Sequence, residues 1–65
     1  MNRLLRRISV AISAMDIGVS VTAMNRDLLG SVNTALRGVG GAQLPNLEEE
    51  GALLRAAIVL ESAVP

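Results

Sequence analysis

The chain has 65 residues, equal numbers of basic and acidic side chains, and no Phe, Tyr, Trp, Cys or His. This composition excludes disulfides, zinc sites built from cysteine or histidine, and catalysis by an imidazole base or a thiolate. We therefore expect no enzyme, no cofactor and no metal site. Zero net charge also argues against a specific nucleic-acid partner, since a positive field is what attracts a phosphate backbone.

The size of the chain limits the core that it can form. A domain this short buries only about 60% of the surface that its unfolded chain exposes. Without aromatic residues, the large areas that each aromatic ring would bury are missing, and the core must come from aliphatic side chains. With disulfides and zinc also excluded, association is the remaining means of stabilising so small a protein. We expect a single domain over 1–65 that self-associates or packs on a larger protein.

The first segment of interest, RISVAISAMDIGVSVTAM over residues 7–24, carries two competing patterns. Alternating apolar residues are typical of a β-hairpin over about 8–23, but its tight turn would fall on Met15 and Asp16, which are unfavourable there. With helical spacing, the apolar residues form two stripes on opposite sides. The first stripe contains Ile8, Met15 and Val19. The second contains Val10, Ile17, Val21 and Met24. We predict a helix over 3–23, facing its own core with the first stripe and a partner with the second.

The second segment, NRDLLGSVNTALRGVGG, predicts an amphipathic helix over about 26–38. Its apolar residues fall within an arc of about 120°. Asn25 is a suitable N-cap, and Gly40 or Gly41 can adopt the left-handed conformation that ends a helix. The glycines and proline of residues 40–46 then predict a turn.

The third segment predicts a helix over about 47–62, with Asn46 as N-cap and Glu49 at the capping-box position. Its apolar residues cover nearly half of the helix circumference, so one neighbouring helix would leave part of them exposed. We expect the second and third helices to share a core. The predicted core residues are Leu28, Leu29, Val32, Leu36, Leu54 and Ile58.

These segments predict a mainly α fold, either a helical hairpin or a three-helix arrangement over about 3–23, 26–38 and 47–62. The alternative is an α+β fold with a β-hairpin at about 8–23 followed by two helices. The predicted function is that of a small non-enzymatic structural or interaction protein, which binds its own copies or a larger protein through apolar helix faces. The predicted interaction residues are Val10, Ile17, Val21, Met24, Leu53 and Leu60.

The charged residues suggest a second role for the N-terminal segment. Arg3, Arg6 and Arg7 precede the first acid, Asp16, a distribution typical of a membrane-surface helix or a targeting peptide formed by residues 1–24. Asp16 counts against a secretory signal, because a charge in the middle of an apolar run is unfavourable. A cytoplasmic interaction protein is therefore the favoured interpretation, with the basic end of one chain near the acidic block 48–50 of another.

Overall fold

The computed structural model describes residues 3–21 and 27–63, which form three helices within these ranges. The helices are α1 (Arg3–Asp16), α2 (Asp27–Gly38) and α3 (Glu50–Ala63). Helix α1 makes its most extensive contact with α3, and α2 packs against both. Neither described range contains a strand. The mainly α, three-helix fold is therefore confirmed, and the alternative hairpin at about 8–23 is wrong wherever the structure describes that segment.

Helix α1 ends at Asp16, well before residue 23, so the prediction of one uninterrupted helix over 3–23 is wrong. The cause is Gly18, which has a φ of +80°. The Val19 N–H donates to the Ala14 carbonyl at 2.9 Å and the Gly18 N–H donates to the Met15 carbonyl at 3.0 Å. This bond pair is the Schellman motif, which requires a left-handed residue that glycine adopts without steric cost.

Helix α2 agrees with the prediction of 26–38 to within one residue. It ends in the same motif, with Gly40 at a φ of +73° and the Gly41 N–H donating to the Leu36 carbonyl at 2.8 Å. Of the two glycines predicted to end this helix, Gly40 is the left-handed one. Asn25, the predicted N-cap, lies outside the described residues.

The connection between α2 and α3 is fixed to α2 by one side chain, Asn33. Its amide donates to the Leu44 carbonyl at 2.9 Å, and its Oδ1 accepts from the Leu44 N–H at 2.7 Å. The Gln43 side chain adds a bond to the Asn33 carbonyl at 3.0 Å. A side chain in α2 therefore satisfies backbone groups of the connection that have no helical partner.

Helix α3 begins at Glu50 rather than at the predicted residue 47. The Asn46 side-chain oxygen accepts a hydrogen bond from the Glu48 N–H at 2.9 Å. This bond closes a short turn before α3 and does not cap the helix. Leu47 lies within this turn and is only 2% exposed. Burial of Leu47 holds the chain in a non-helical turn before α3 starts, which explains the later start.

The core is formed by apolar side chains from all three helices and from the connections. Its buried members are Ile8, Ala11, Val21, Leu28, Val32, Leu36, Leu47, Leu53, Ala56 and Leu60. No polar or charged side chain is buried among the described residues. Full burial of a Leu, Ile or Val side chain contributes about 1.5–3 kcal/mol relative to exposure, so the largest members carry most of the stability.

The predicted core is right for α2 and wrong for α3. In α2, Leu28, Val32 and Leu36 are buried and Leu29 is partly buried. The α3 residues predicted to be buried are instead exposed, Leu54 at 49% and Ile58 at 58%. The core-facing side of α3, with Leu53, Ala56 and Leu60, therefore lies about 150° around the helix from the predicted one.

Candidate interaction surface

Among the predicted interaction residues that the structure describes, the two most exposed lie on or near α1. Val10 is 57% exposed and Ile17 is 79% exposed, so both are available to a partner. Met24 lies outside the described residues. The second apolar stripe predicted for the N-terminal segment is thus partly at the surface, although Ile17 follows the end of α1 and is not helical.

Three predicted interaction residues lie in the core instead. Val21 is 3% exposed, Leu53 is fully buried and Leu60 is 6% exposed. They cannot contact a partner unless the three-helix core opens. The assignment of these residues to an interaction surface is wrong, because Leu53 and Leu60 belong to the face of α3 that packs on the other helices.

The two most exposed large apolar residues of α3 are Leu54 and Ile58, which we call the outer ridge, and Val59 beside them is 37% exposed. The two residues are one helical turn apart and therefore neighbours on the same side of the helix. Gly51 precedes Leu54 by almost one turn, and a Cβ at this position would meet no atom within 4 Å. Sequence reasoning missed this ridge because it placed both side chains in the core, although the wide apolar arc of α3 indicated that part of it would be exposed.

One end of the molecule is acidic. The Glu50 carboxyl is hydrogen-bonded to that of Asp16, and this bond, followed by desolvation and repulsion between the two groups, raises the pKa of Glu50. Glu48 and Glu49 lie next to Glu50 in the chain and are exposed. The contact also shows that the last residue of α1 meets the first of α3, so these packed helices run in opposite directions.

The other end of α1 is basic. Arg3 and Arg6 lie in its first turn and are exposed, and neither forms an ion pair with any residue in 3–21 or 27–63. Arg7 pairs with Asp27 of α2 at 3.0 Å. A 14-residue helix is about 21 Å long, and this distance separates the basic start of α1 from the acidic end of the molecule.

Both charged ends of α1 oppose the helix dipole, which favours acids at the start of a helix and bases at its end. Helix α1 has no acid in its first turn and no base in its last turn. The arrangement is locally unfavourable for the helix.

Among the described residues, one surface groove has a mixed polar and apolar lining and another has a mainly apolar lining. The larger, about 320 Å³, lies at the acidic end between Met15, Val19, Val21 and Leu47. The smaller, about 150 Å³, lies between α2 and α3. Within the described ranges, no group of three or more acidic, histidine or cysteine side chains is placed to hold a metal ion.

Comparisons with protein-family models, with curated proteins and with solved structures find no match to this chain. Among the described residues, none of the three helices has the length and apolar character needed to cross a membrane. The geometry of the outer ridge and the separated charges are therefore the features on which a functional interpretation rests.

Proposed function

We propose that this chain is a small non-enzymatic structural or interaction protein that self-associates, or packs on a larger protein, through an apolar helix face. The observation that carries the proposal is the outer ridge. Leu54 and Ile58 are half exposed on a helix whose opposite side already fills the core. Large apolar residues four positions apart are a common way for one helix to bind another protein surface.

The size of the protein supports association. A core of aliphatic residues in 65 positions leaves a small margin of stability, and every additional apolar side chain buried against a partner enlarges it. Val10 and Ile17 provide further exposed apolar area on the N-terminal segment. An interaction role also uses the residue types that the chain has, whereas catalysis would lack both imidazole and thiolate groups.

The alternative role as a membrane-surface helix receives less support from the packing of α1. An interfacial helix inserts its apolar face into lipid. In this protein, Ile8 and Ala11 of that face are buried against the other helices. Binding of α1 to lipid through this face would expose the core, which is unfavourable without a compensating partner for α2 and α3.

The proposal is tested by light scattering during size-exclusion chromatography over a series of loading concentrations. We expect the molar mass of the wild-type chain to rise with concentration above the 6.8 kDa of one chain. Ile58→Glu should abolish the rise. Val39→Glu is the matched control, because Val39 is 43% exposed and lies outside α3, directly after α2. A constant mass of one chain for the wild type would contradict self-association.

A further inference from the structure

We propose that the smaller groove, between α2 and α3, binds a small amphiphilic carboxylate, with its apolar chain in the groove and its carboxylate on Arg55. The mainly apolar lining of the groove indicates an apolar body, and Arg55 in the same lining indicates a negatively charged head group. This site goes beyond the proposed interaction role and does not depend on self-association.

The floor of the groove belongs to the apolar core. Leu36 of α2 is 2% exposed and Ala56 of α3 is 4% exposed, and both line the groove. Together with Ala52 and Val59, Ala56 forms the apolar part that α3 contributes, which lies about 150° around the helix from the outer ridge. An apolar group in the groove therefore covers core side chains and leaves the outer ridge uncovered.

The shape of the groove is fixed by the connection between α2 and α3. Leu44 lines the groove, and its backbone N–H and carbonyl pair with the Asn33 side chain at 2.7 and 2.9 Å. Gly41 passes so close to both helices that a Cβ there would lie 3.1 Å from Leu36 Cδ2 and 3.5 Å from Val59 Cγ1. A groove held in shape before binding loses less conformational entropy when a ligand enters.

The size of the groove limits the apolar part of the ligand. Its volume is about 150 Å³, and an apolar cavity of about this volume accommodates benzene. The space exists because three lining residues, Ala42, Ala52 and Ala56, have short side chains. A chain of about six carbons would fill the groove, whereas a long acyl chain would extend far beyond it.

Arg55 determines the charge of the ligand. Among the described residues that line the groove, Arg55 alone is charged, and it forms no ion pair with any described residue. Glu61 lies six positions later and about 120° around the helix from Arg55, and Glu49 lies six positions earlier, before α3 begins. A guanidinium group beside an apolar groove favours a carboxylate, which it can bind with two parallel hydrogen bonds.

Methyl NMR titration with hexanoate at constant ionic strength tests the site. We expect the methyl resonances of Leu36, Leu44 and Val59 to follow one saturation curve, with a Kd on the order of 1 mM for so small a ligand. Hexan-1-ol, which has the same chain without the carboxylate, should bind about fivefold more weakly. Val10 and Ile17 are the surface controls, because both are exposed apolar residues that do not line the groove.

Two variants separate the contributions of charge and space. Arg55→Gln alters an exposed side chain, and it should weaken hexanoate binding about fivefold while leaving the affinity for hexan-1-ol unchanged. Ala52→Leu enlarges a lining side chain and should abolish the binding of both compounds. Ser62→Leu is the matched control, because Ser62 is exposed in α3 and does not line the groove. Circular dichroism checks that each variant keeps its helices.

Each outcome either supports or overturns the inference. Saturable shifts confined to the groove and weakened by Arg55→Gln would support it. Shifts of Val10 and Ile17 as large as those of the groove would show adsorption to any exposed apolar residue and overturn it. Equal affinity for hexanoate and hexan-1-ol would overturn the choice of an anionic ligand. The absence of saturable shifts up to about 20 mM hexanoate would overturn the whole site, while leaving the proposed self-association unaffected.

Discussion

Gly18 determines where α1 stops. Its φ of +80° lies in the left-handed region, where a Cβ crowds the following backbone. The turn that follows carries Val19 out of the helix and lets Val21 return to the core, where it is 3% exposed. Gly18 thus separates helix α1 from the buried side chain of Val21, which follows the turn.

We predict that Gly18→Ala lowers the free energy of unfolding by about 1–2 kcal/mol, the cost of a left-handed conformation in a residue with a Cβ. Gly30→Ala is the matched control, because Gly30 lies within α2, and a Cβ there meets no atom within 4 Å. This control should gain about 0.5–1 kcal/mol from helix propensity. Chemical denaturation measures both, and equal effects of the two substitutions would contradict the role given to Gly18.

The carboxyl pair of Asp16 and Glu50 makes stability depend on pH. Folding raises the pKa of Glu50. The pair therefore contributes stability at pH values below the pKa that Glu50 has in the unfolded chain. This contribution is lost as the pH rises through the raised folded value. Repulsion between the two carboxylates then opposes folding, and Asp16 also lies at the unfavourable end of the α1 dipole.

We predict that Asp16→Asn raises the free energy of unfolding at neutral pH, and that the gain shrinks as the pH falls through the raised pKa of Glu50. The same substitution should return the pKa of Glu50 towards its ordinary value, measured by NMR titration of the side-chain carboxyl. Glu61→Gln removes a charge at the end of α3 and should leave the pKa of Glu50 unchanged. If Asp16→Asn does not shift that pKa, the two side chains are not in contact.

At the scale of the helices, α2 could be predicted almost completely from the sequence, whereas α1 and α3 could not. Helix α2 has one narrow apolar face and a clear stop at Gly40, so periodicity and end signals agree. In α3, apolar residues occupy a wide arc, and Leu53 and Leu54 are adjacent candidates for the same core position. Only contact with the other two helices selects between them.

The candidate site was mispredicted for the same reason. The pattern correctly indicated an excess of apolar surface on α3, but placed Leu54 in the core and Leu53 at the surface, the reverse of the structure. The bonds from Asn33 to Leu44 were also missed. No periodic signal marks a polar residue in α2 that pairs with backbone eleven residues later, since the pairing depends on how the chain folds back.

The orientation of α3 predicts different effects for these two neighbouring leucines. Leu53→Ala should lower the free energy of unfolding by about 2–5 kcal/mol, because it leaves a cavity at a fully buried position. Leu54→Ala should change it by less than about 0.5 kcal/mol when measured on dilute protein. Denaturant unfolding followed by circular dichroism compares them, and a larger cost for Leu54→Ala would show that α3 faces the other way.

At the scale of the whole molecule, an exposed apolar ridge lies on one side of α3 and the core lies on the other. The protein has no net charge, so electrostatic repulsion between whole molecules is small. A contact through α3 covers the ridge without disturbing the core that Ile8, Leu28 and Leu53 share. In the proposed self-association, the area buried between copies would add to the small margin of stability of the domain.

The most direct test of this account is the concentration dependence of amide and methyl chemical shifts in the wild-type chain. We predict that dilution shifts the resonances of Leu54 and Ile58 most strongly and leaves those of the buried Val32 unchanged. Shifts that do not depend on concentration, or that centre on Val10 and Ile17 instead, would contradict the proposal that the outer ridge of α3 is where this protein associates.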